Sequence, residues 1–574
     1  MAVPSIPLAA GGSPAAVTTS TRPSTWLIAL RTFANGVMAA AIVLTGLTVM
    51  MVTLARLDGR TRPTRVALIG IPTVLILGFA IWVINPGFDN YVAAAPVTAA
   101  STTLSLENPG LPGPYAVQSL SYGSGRNTHR PQYGAAADLV TPVVDGSPIF
   151  SGYSGLTGSY FRWYWDFDFS QLPLNGMVWY PEGEGPFPLV LIVHGNHAMS
   201  DFSEPGYAYL AEHLASQGYI AISVDENFLN GMAFFDGEFQ EMPLRAWLLL
   251  QHLRQWRTWN ETAGNPFTGK IDMDSIALIG HSRGGEAASW AAHLNWQTMA
   301  PVTAVSSTSD FGFGIRAVVA IAPSDAYAGP GSRKPTLDYI NFLLLAGGHD
   351  ADTFLLYGQQ QYNRVRFNDN PDGFKALAYV YQANHGHFNT VWGDQDRGLY
   401  NSWLLNRAPL LTSEAQQQAA KVLITSFLNA ALRDESAYRD VFRNPGTAVN
   451  WLPAGIVVTQ YQDEPFIRVD TNSGSADFAT TEVAGAEAVA RNTIIAKVEP
   501  LKLRDGQTNQ GNKALHLAWD AGSQPAYEIT LPEQKAANPV FQPDQLRTLR
   551  FLFSGTEAGA IYLDEIGFST LAER

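Results

Sequence analysis

Two long uncharged stretches stand out near the start of the chain. Residues 32–55 and 66–84 contain no Asp, Glu, Lys or Arg. Each is close to the length of about 20 apolar residues that a helix needs to cross a bilayer. The pattern predicts two transmembrane helices within residues 32–84, preceded by a tail at 1–31 and followed by a linker at 85–114. A pair of buried core helices is the alternative, although such helices are rarely uncharged on every side.

The charges around these stretches predict their orientation. The short segment between them carries Arg56, Arg60, Arg62 and Arg65, whereas residues 85–125 contain no Lys or Arg. Loops rich in Lys and Arg stay on the cytoplasmic side of a membrane. We therefore expect a multi-pass protein of the cell membrane, in contact with the lipid bilayer through residues 32–84, whose remaining domains are extracytoplasmic.

Residues 115–435 alternate between short apolar runs and helical patterns. This rhythm is typical of an α/β fold in which helices cover both faces of a mostly parallel sheet. The apolar runs are nearly continuous, as in strands buried on both faces. The predicted strands are 186–195, 219–225, 275–280, 315–323, 341–348 and 375–383, and the predicted helices include 207–218, 242–256 and 413–432.

Aromatic residues alternate along residues 159–169. Phe161, Trp163, Trp165, Phe167 and Phe169 occupy every second position. Period-two spacing places side chains on one face of a strand. We interpret this face as the side of an antiparallel strand that packs into the domain core. The alternative is that it lines a groove for a glycan or polymer.

The pattern changes in the last quarter of the chain. Residues 436–574 contain short alternating runs separated by Gly, Asn, Asp and Pro, beginning with GIVVTQY. Such runs are typical of an antiparallel β-sandwich. We expect a jelly-roll-like accessory domain, and nothing in these residues identifies its ligand.

Composition narrows the chemistry that the chain can perform. The formal net charge is −14, and no basic stripe is present to neutralise a phosphate backbone, so a nucleic-acid partner is not expected. There is no cysteine, which excludes disulfides, a thiolate nucleophile and a Cys-ligated metal site. Covalent catalysis must use another nucleophile.

A candidate nucleophile follows the predicted strand 275–280. Gly280, Ser282 and Gly284 form a Gly-x-Ser-x-Gly pattern, and a helix-forming segment comes directly afterwards. In a nucleophile elbow, this pattern lies on a sharp turn between strand and helix that exposes the serine hydroxyl. The pattern alone is weak, and its strand–turn–helix context makes Ser282 the candidate nucleophile.

A serine nucleophile needs a histidine base and an acid that orients the histidine. In this fold class the acid and then the histidine follow the serine along the chain. Asp350 and Asp352 follow the predicted strand 341–348, and His385 and His387 follow the strand 375–383. Parallel strands bring these positions to one edge of the sheet. We predict Asp350 as the acid, because it comes first after the strand end, and His385 as the base.

The oxyanion formed during attack on a carbonyl needs backbone N–H donors. The residue after the nucleophile, Arg283, is expected to supply one. The loop His194-Gly195-Asn196 follows the predicted strand 186–195, and we nominate the Asn196 N–H as the second donor. Nearby His197 is interpreted as a loop residue that keeps the oxyanion hole in shape.

Taken in order, the segments HGN, GHSRGG, GGHD and NHGHFN resemble those of α/β-hydrolase-fold serine hydrolases. The elbow and the HGN loop are most similar to the esterase branch that includes dienelactone-hydrolase-like, platelet-activating-factor-acetylhydrolase-like and polyester-hydrolase-like enzymes. The resemblance covers about residues 115–435. It implies cleavage of a carboxylic ester through an acyl-Ser282 intermediate, with no metal or organic cofactor. A lipid, a small ester and a polyester all remain candidate substrates.

Two other functions remain open. A serine peptidase of the same fold usually has a charged anchor for a peptide terminus, and Glu204, Glu226 and Glu238 are candidates for it. A surface binding protein could instead carry its ligand on the sandwich and retain an inactive hydrolase scaffold. The sequence indicates neither the acyl and alcohol specificity nor the oligomeric state.

Overall fold

The computed structural model describes most of the chain after residue 103. The described residues are 104–230, 241–299, 311–464 with short gaps at 330–332, 354–355, 369, 395 and 397–404, and the stretches 467–470, 486–502, 508–530, 548–552, 559–563 and 566–568, with a few isolated positions elsewhere. The predicted spans at 32–84 fall, apart from isolated positions, outside this set. Within the described part of the chain, no helix combines the length and apolar character needed to cross a membrane.

A large sheet of ten strands forms the centre of the fold. Its strands, in chain order, are β1 (Val117–Gly123), β2 (Leu139–Val140), β3 (Gly176–Pro181), β4 (Phe187–Val193), β5 (Ile220–Val224), β6 (Ile271–His281), β7 (Ile315–Ile321), β9 (Asn341–Gly347), β11 (Phe374–Val380) and β12 (Val457–Asp463). The strand order is β12-β11-β9-β7-β6-β4-β5-β3-β1-β2. The neighbours from β5 to β11 are parallel, while β3 and β12 pair antiparallel with β5 and β11. The predicted mostly parallel α/β sheet is therefore confirmed.

Helices cover both faces of this sheet. They are α1 (Gly155–Trp165), α2 (Ala208–Ser216), α3 (Met242–Glu261), α4 (Arg283–Met299), α5 (Gly358–Arg364), α6 (Ser413–Leu432) and α7 (Asp440–Arg443). Short 3₁₀ helices occur at Pro131–Tyr133, Glu204–Tyr207, Asn227–Leu229, Gly386–Phe388, Ser436–Arg439 and Pro445–Ala448. Strands β8 (Leu337–Asp338) and β10 (Val365–Arg366) form a small separate parallel pair.

The core lies on both sides of the sheet. In β4, Leu189 and Leu191 point into the cluster that includes Trp256 of α3, whereas Val190 and Ile192 point into the cluster that includes Leu423 of α6. All seven residues of β4 are buried. Burial on both faces explains why the strand sequence is continuously apolar instead of alternating. The layers are thus helix, sheet, helix, and the rigid sheet fixes the loops at its edges.

The prediction of a strand at 159–169 is wrong. Residues Gly155–Trp165 form helix α1, which ends at Asp166 with φ 58°, in the left-handed region. Helical spacing buries Phe161 and Trp165, four residues apart, and leaves Trp163 exposed. The period-two pattern was misleading because Phe167 and Phe169 reach the same aromatic cluster from the segment after the helix.

Two segments lie in a different unit from the one that the sequence predicted. Strand β12 belongs to the segment expected to open the sandwich, yet it pairs with β11 from Val380↔Val457 to Phe374↔Asp463. It thereby covers an edge of the central sheet. The second half of the predicted linker is also part of the folded body, since Leu104 N–H donates to the Thr447 carbonyl and Gly113 N–H to Ser216 Oγ. The sheet therefore continues past residue 435.

The described strands after β12 pair only antiparallel. They are β13 (Ile467–Asp470), β14 (Glu487–Arg491), β15 (Ile495–Lys502), β16 (Thr508–Trp519), β17 (Ala526–Thr530), β18 (Thr548–Leu552), β19 (Gly559–Leu563) and β20 (Ile566–Phe568). They form the sheets β13-β20, β14-β17-β18 and β15-β16-β19. Antiparallel pairing agrees with the expected type of domain, and the jelly-roll arrangement stays a prediction.

Candidate active site

The turn around Ser282 is built by close contact between backbones. Ser282 has φ 59°, and its N–H donates to the Ile321 carbonyl at 2.9 Å. A Cβ atom on Gly280 would lie 2.0 Å from the Gly284 carbonyl oxygen, so a side chain cannot be placed there. Helix α4 begins directly at Arg283. This strained strand–turn–helix connection has the local geometry of a nucleophile elbow.

The HGN loop lies against the elbow. A Cβ atom on Gly195 would be 2.4 Å from Ser282 Cβ and 3.0 Å from Ser282 Oγ. Asn196 therefore follows a glycine that touches the candidate nucleophile, and Arg283 stands at the N-terminus of α4, where the helix dipole favours negative charge. Both predicted oxyanion donors thus lie close to Ser282 along the chain or in space: Arg283 directly follows it, and Asn196 follows Gly195, which contacts it.

The candidate acid and base are hydrogen-bonded to each other. His385 Nδ1 donates to Asp350 Oδ2 at 2.9 Å, and both residues are buried. Asp350 Oδ1 also accepts the N–H groups of Asp352 and Thr353, at 2.8 and 2.7 Å. Asp352 itself is exposed. His387 is half-buried, and its Nδ1 donates to the Leu411 carbonyl at 3.1 Å.

Opposing effects act on the charges of this pair. Burial alone disfavours the His385 cation, but the negative charge and hydrogen bond of Asp350 outweigh it and raise the pKa of His385 to about 9. Burial alone would raise the pKa of Asp350, yet the charge of His385 and hydrogen bonds from His385 and Thr353 hold that pKa below its usual value. Asp350 therefore remains ionised and can orient the imidazole.

The sequence did not identify the aromatic residue that packs on this pair. The Trp392 ring is nearly parallel to that of His385, with 5.8 Å between centroids, and lies 4.6 Å from the ring of His197 and 4.5 Å from that of His281. Its Nε1 donates to Ser203 Oγ at 2.9 Å. The His281 and His385 rings are 4.7 Å apart, which brings the residue before Ser282 next to the candidate base. Trp392 belongs to an aperiodic loop, where pattern gives little information.

One buried group has the composition of a metal site. The ligand atoms of His194, Glu204 and Asp225 lie within 4.8 Å of one another. Glu204, however, pairs with the guanidinium of Arg130, and Asn227 Nδ2 donates to both Glu204 and Asp225, at 2.6 Å each. The Arg130 guanidinium already pairs with one of the two carboxylates, so these residues fit a hydrogen-bonded ion pair better than a metal-binding site.

Comparison with known proteins finds a family that part of the chain resembles. Residues 168–328 match the model of the Chlorophyllase family, an α/β-hydrolase-type esterase family. The matched segment contains the HGN loop and Ser282 but neither Asp350 nor His385. No curated protein matches the chain. The part of the chain that carries the elbow is thus similar to the Chlorophyllase family, which supports an ester hydrolase of the α/β-hydrolase type.

Proposed function

We propose that this protein is a serine hydrolase that cleaves carboxylic esters through an acyl-Ser282 intermediate. The hydrogen bond between His385 Nδ1 and Asp350 Oδ2, at the sheet edge that also carries the Ser282 elbow, is the observation that carries the proposal. The similarity of residues 168–328 to an esterase family supports it independently.

The proposed reaction follows from the roles of these groups. Ser282 Oγ attacks the ester carbonyl carbon while its proton passes to His385 Nε2, and Asp350 stabilises the resulting imidazolium. The N–H groups of Arg283 and Asn196 donate to the oxyanion. The imidazolium then protonates the departing alkoxide, which leaves acyl-Ser282. A water molecule, deprotonated by His385, then attacks the acyl carbon. The imidazolium protonates Ser282 Oγ as the acyl–oxygen bond breaks, which releases the carboxylic acid and restores free Ser282 and neutral His385.

Two of the three candidate anchors for a peptidase are engaged in ion pairs. Glu204 and Glu226 are fully buried and pair with Arg130 and Arg245, respectively, so neither carboxylate is exposed to a peptide terminus. Glu238 lies outside the described residues. The hydrogen-bonded acid and base argue against an inactive scaffold that serves only for binding. Lipids, small esters and polyesters are the candidate substrate classes.

Substrate class can be tested with chromogenic esters. We expect the full chain to hydrolyse p-nitrophenyl esters of one or more chain lengths and to leave peptide p-nitroanilides intact. The Ser282→Ala variant is the control for background hydrolysis. Cleavage of anilides at rates equal to those of the esters would favour the peptidase.

We also propose that the hydrolase is tethered to a membrane with its catalytic part outside the cytoplasm. The uncharged runs at 32–55 and 66–84 and the arginines between them support this placement. Because the chain has no cysteine, single introduced thiols report on it without background. In intact cells, an impermeant thiol reagent should label Ser101→Cys and spare Thr61→Cys. The reverse labelling pattern would contradict the proposed orientation.

A further inference from the structure

A second buried carboxylate, that of Asp396, connects the loops that carry the candidate acid and base. Its Oδ2 accepts the N–H groups of His385 at 2.9 Å and Ala351 at 3.1 Å. Its Oδ1 accepts the Gly386 N–H at 2.9 Å and Asn384 Nδ2 at 2.8 Å. The residue is 8% exposed. Four donors thus converge on one carboxylate.

The donors to Asp396 belong to the two loops that carry the candidate acid and base. Ala351 directly follows the candidate acid, and His385 and Gly386 are the candidate base and its neighbour. Three of the four donors are backbone N–H groups, which fix the course of the chain and not only a side chain. Hydrogen bonds to an ionised acceptor are stronger than neutral ones, particularly in a buried site. Asp396 therefore fastens the acid loop to the histidine loop.

We propose that Asp396 is a positioning residue of the active site, which holds Asp350 and His385 in the relative positions that their hydrogen bond requires. This inference rests on the proposed function, because it assigns a role within the same site. Asp396 bonds to the backbone of His385, and its carboxylate is not a partner of the imidazole nitrogen that faces Asp350. It acts on the reaction through the pair.

The charge of Asp396 acts in addition to its hydrogen bonds. Asp350, Asp352 and Asp396 all favour the His385 cation. On the other side, His197 and His281 approach His385, and burial lowers the pKa of each. Loss of the Asp396 charge removes one of the three carboxylates, so the pKa of His385 should fall. A residue that serves only to fill space would leave this pKa unchanged.

The surroundings of Asp396 allow a further test. The carboxylate lines a cavity of about 550 Å³, together with Asp350, Asn384 and Arg407. Truncation to alanine would enlarge this cavity, and a small carboxylate such as formate or acetate is small enough to occupy the vacated position. Activity that returns with such an anion identifies the carboxylate, and not the fold as a whole, as the missing component.

The experiment compares Asp396→Asn and Asp396→Ala with Asp394→Asn in the full chain. Asp394 lies in the same turn, but its carboxylate is 40% exposed and pairs with Arg407 at 2.9 Å. Misplaced catalytic groups can cost about 10²-fold in rate, so we expect kcat on a p-nitrophenyl ester to fall by about 10- to 100-fold in both Asp396 variants. KM of the Asp396 variants should change by less than about threefold, and kcat of Asp394→Asn should stay within about threefold of that of the parent.

Addition of an anion is the second experiment. Formate should raise kcat of Asp396→Ala, whereas chloride at equal ionic strength should not.

Three results would overturn the inference. The first is a folded Asp396→Ala protein with parental kcat. The second is a loss confined to KM, and the third is failure of both Asp396 variants to fold while Asp394→Asn folds, since Asp396 would then serve stability. If the parent itself neither turns over esters nor reacts with a fluorophosphonate, the proposed function fails instead. In that case NMR of labelled histidines decides, and an unchanged His385 pKa in Asp396→Asn would contradict the positioning role.

Discussion

At the scale of single residues, His385 is the point where burial and charge compete. Burial disfavours its cation, while Asp350, Asp352 and Asp396 favour it, and the balance places its pKa at about 9. A general base must be neutral before it can accept a proton. The free enzyme should therefore be mostly protonated at His385 near pH 7 and gain activity as the pH rises.

The pH dependence of kcat/KM tests this balance. We expect kcat/KM to fall as the pH drops through the pKa of His385. The midpoint of this acidic limb of the profile should lie above the pKa of an ordinary histidine. Asp350→Asn removes the charge that stabilises the cation and should move the limb to lower pH. Profiles measured between about pH 5 and pH 10.5 would show it. A parental plateau that already extends to pH 6 would contradict the assignment.

The choice of acid can be tested by two matched substitutions. Asp350→Asn should lower kcat by about 10²-fold or more, because the amide cannot orient His385 in the required tautomer. Asp352→Asn should stay within about tenfold, since Asp352 is exposed and its backbone N–H, which survives the change, donates to Asp350. The neighbouring histidine variant His387→Ala should also stay within about tenfold. If Asp352→Asn were the more damaging of the two, the acid assignment would be wrong.

At the scale of elements, the site depends on the contact between the loop after β4 and the turn after β6. Both strands end at the same sheet edge, and Gly195 touches Ser282 there. The contact leaves no room for a methyl group on Gly195. Since glycine has no side chain that could take part in the reaction, a substitution at this position tests the close approach of the loop to the elbow.

Gly195→Ala should therefore lower kcat by at least about tenfold. The new Cβ would lie 2.4 Å from Ser282 Cβ and 2.9 Å from the His281 carbonyl oxygen, so the loop must move away from the elbow. Asn196→Ala is the control, because the proposed donor is its backbone N–H and survives the change. Equal kcat values for the two variants, both near the parent, would show that the loop does not form the oxyanion hole.

The elements also show what sequence can and cannot predict. Strand β9 and helix α6 were predictable because burial on two faces or a regular apolar stripe leaves a clear pattern. Helix α1 was not, since its aromatic residues satisfy strand and helix periodicities over a short window. Trp392 and Asp396 were not predicted because their loop has no period and because each has a partner that is distant in sequence, Ser203 for Trp392 and Ala351 for Asp396. Asp350 and His385 could be proposed from chain order and strand ends, whereas the hydrogen bond between them is visible only in the folded chain.

At the scale of the whole molecule, the structure indicates where along the chain the catalytic unit ends. Strand β12 completes the central sheet, and Arg443 of α7 donates to Asp463 at its end. The catalytic unit should therefore need the residues up to about 464, whereas the sequence suggested an end at 435. The strands after it pair among themselves.

Truncation distinguishes the two limits. A chain that ends after residue 464 should fold and hydrolyse small esters at a rate within about tenfold of the parent, because the sheet and the candidate site are retained. A chain that ends after residue 436 lacks β12, which exposes the β11 edge and the apolar surface beneath it, and should be insoluble or strongly destabilised. Thermal unfolding and p-nitrophenyl ester hydrolysis measure both. Full activity and stability of the shorter chain would contradict this limit.

Covalent labelling of Ser282 tests the central claim most directly. A fluorophosphonate phosphonylates an activated serine hydroxyl: Oγ displaces fluoride at phosphorus while the neighbouring base takes the hydroxyl proton. We expect peptide mass spectrometry to locate one adduct on Ser282 of the full chain. Labelling should be lost in Ser282→Ala and slowed by at least about 10³-fold in His385→Ala. A parent that does not react, or a Ser282→Ala variant that is labelled at the parental rate, would contradict the account.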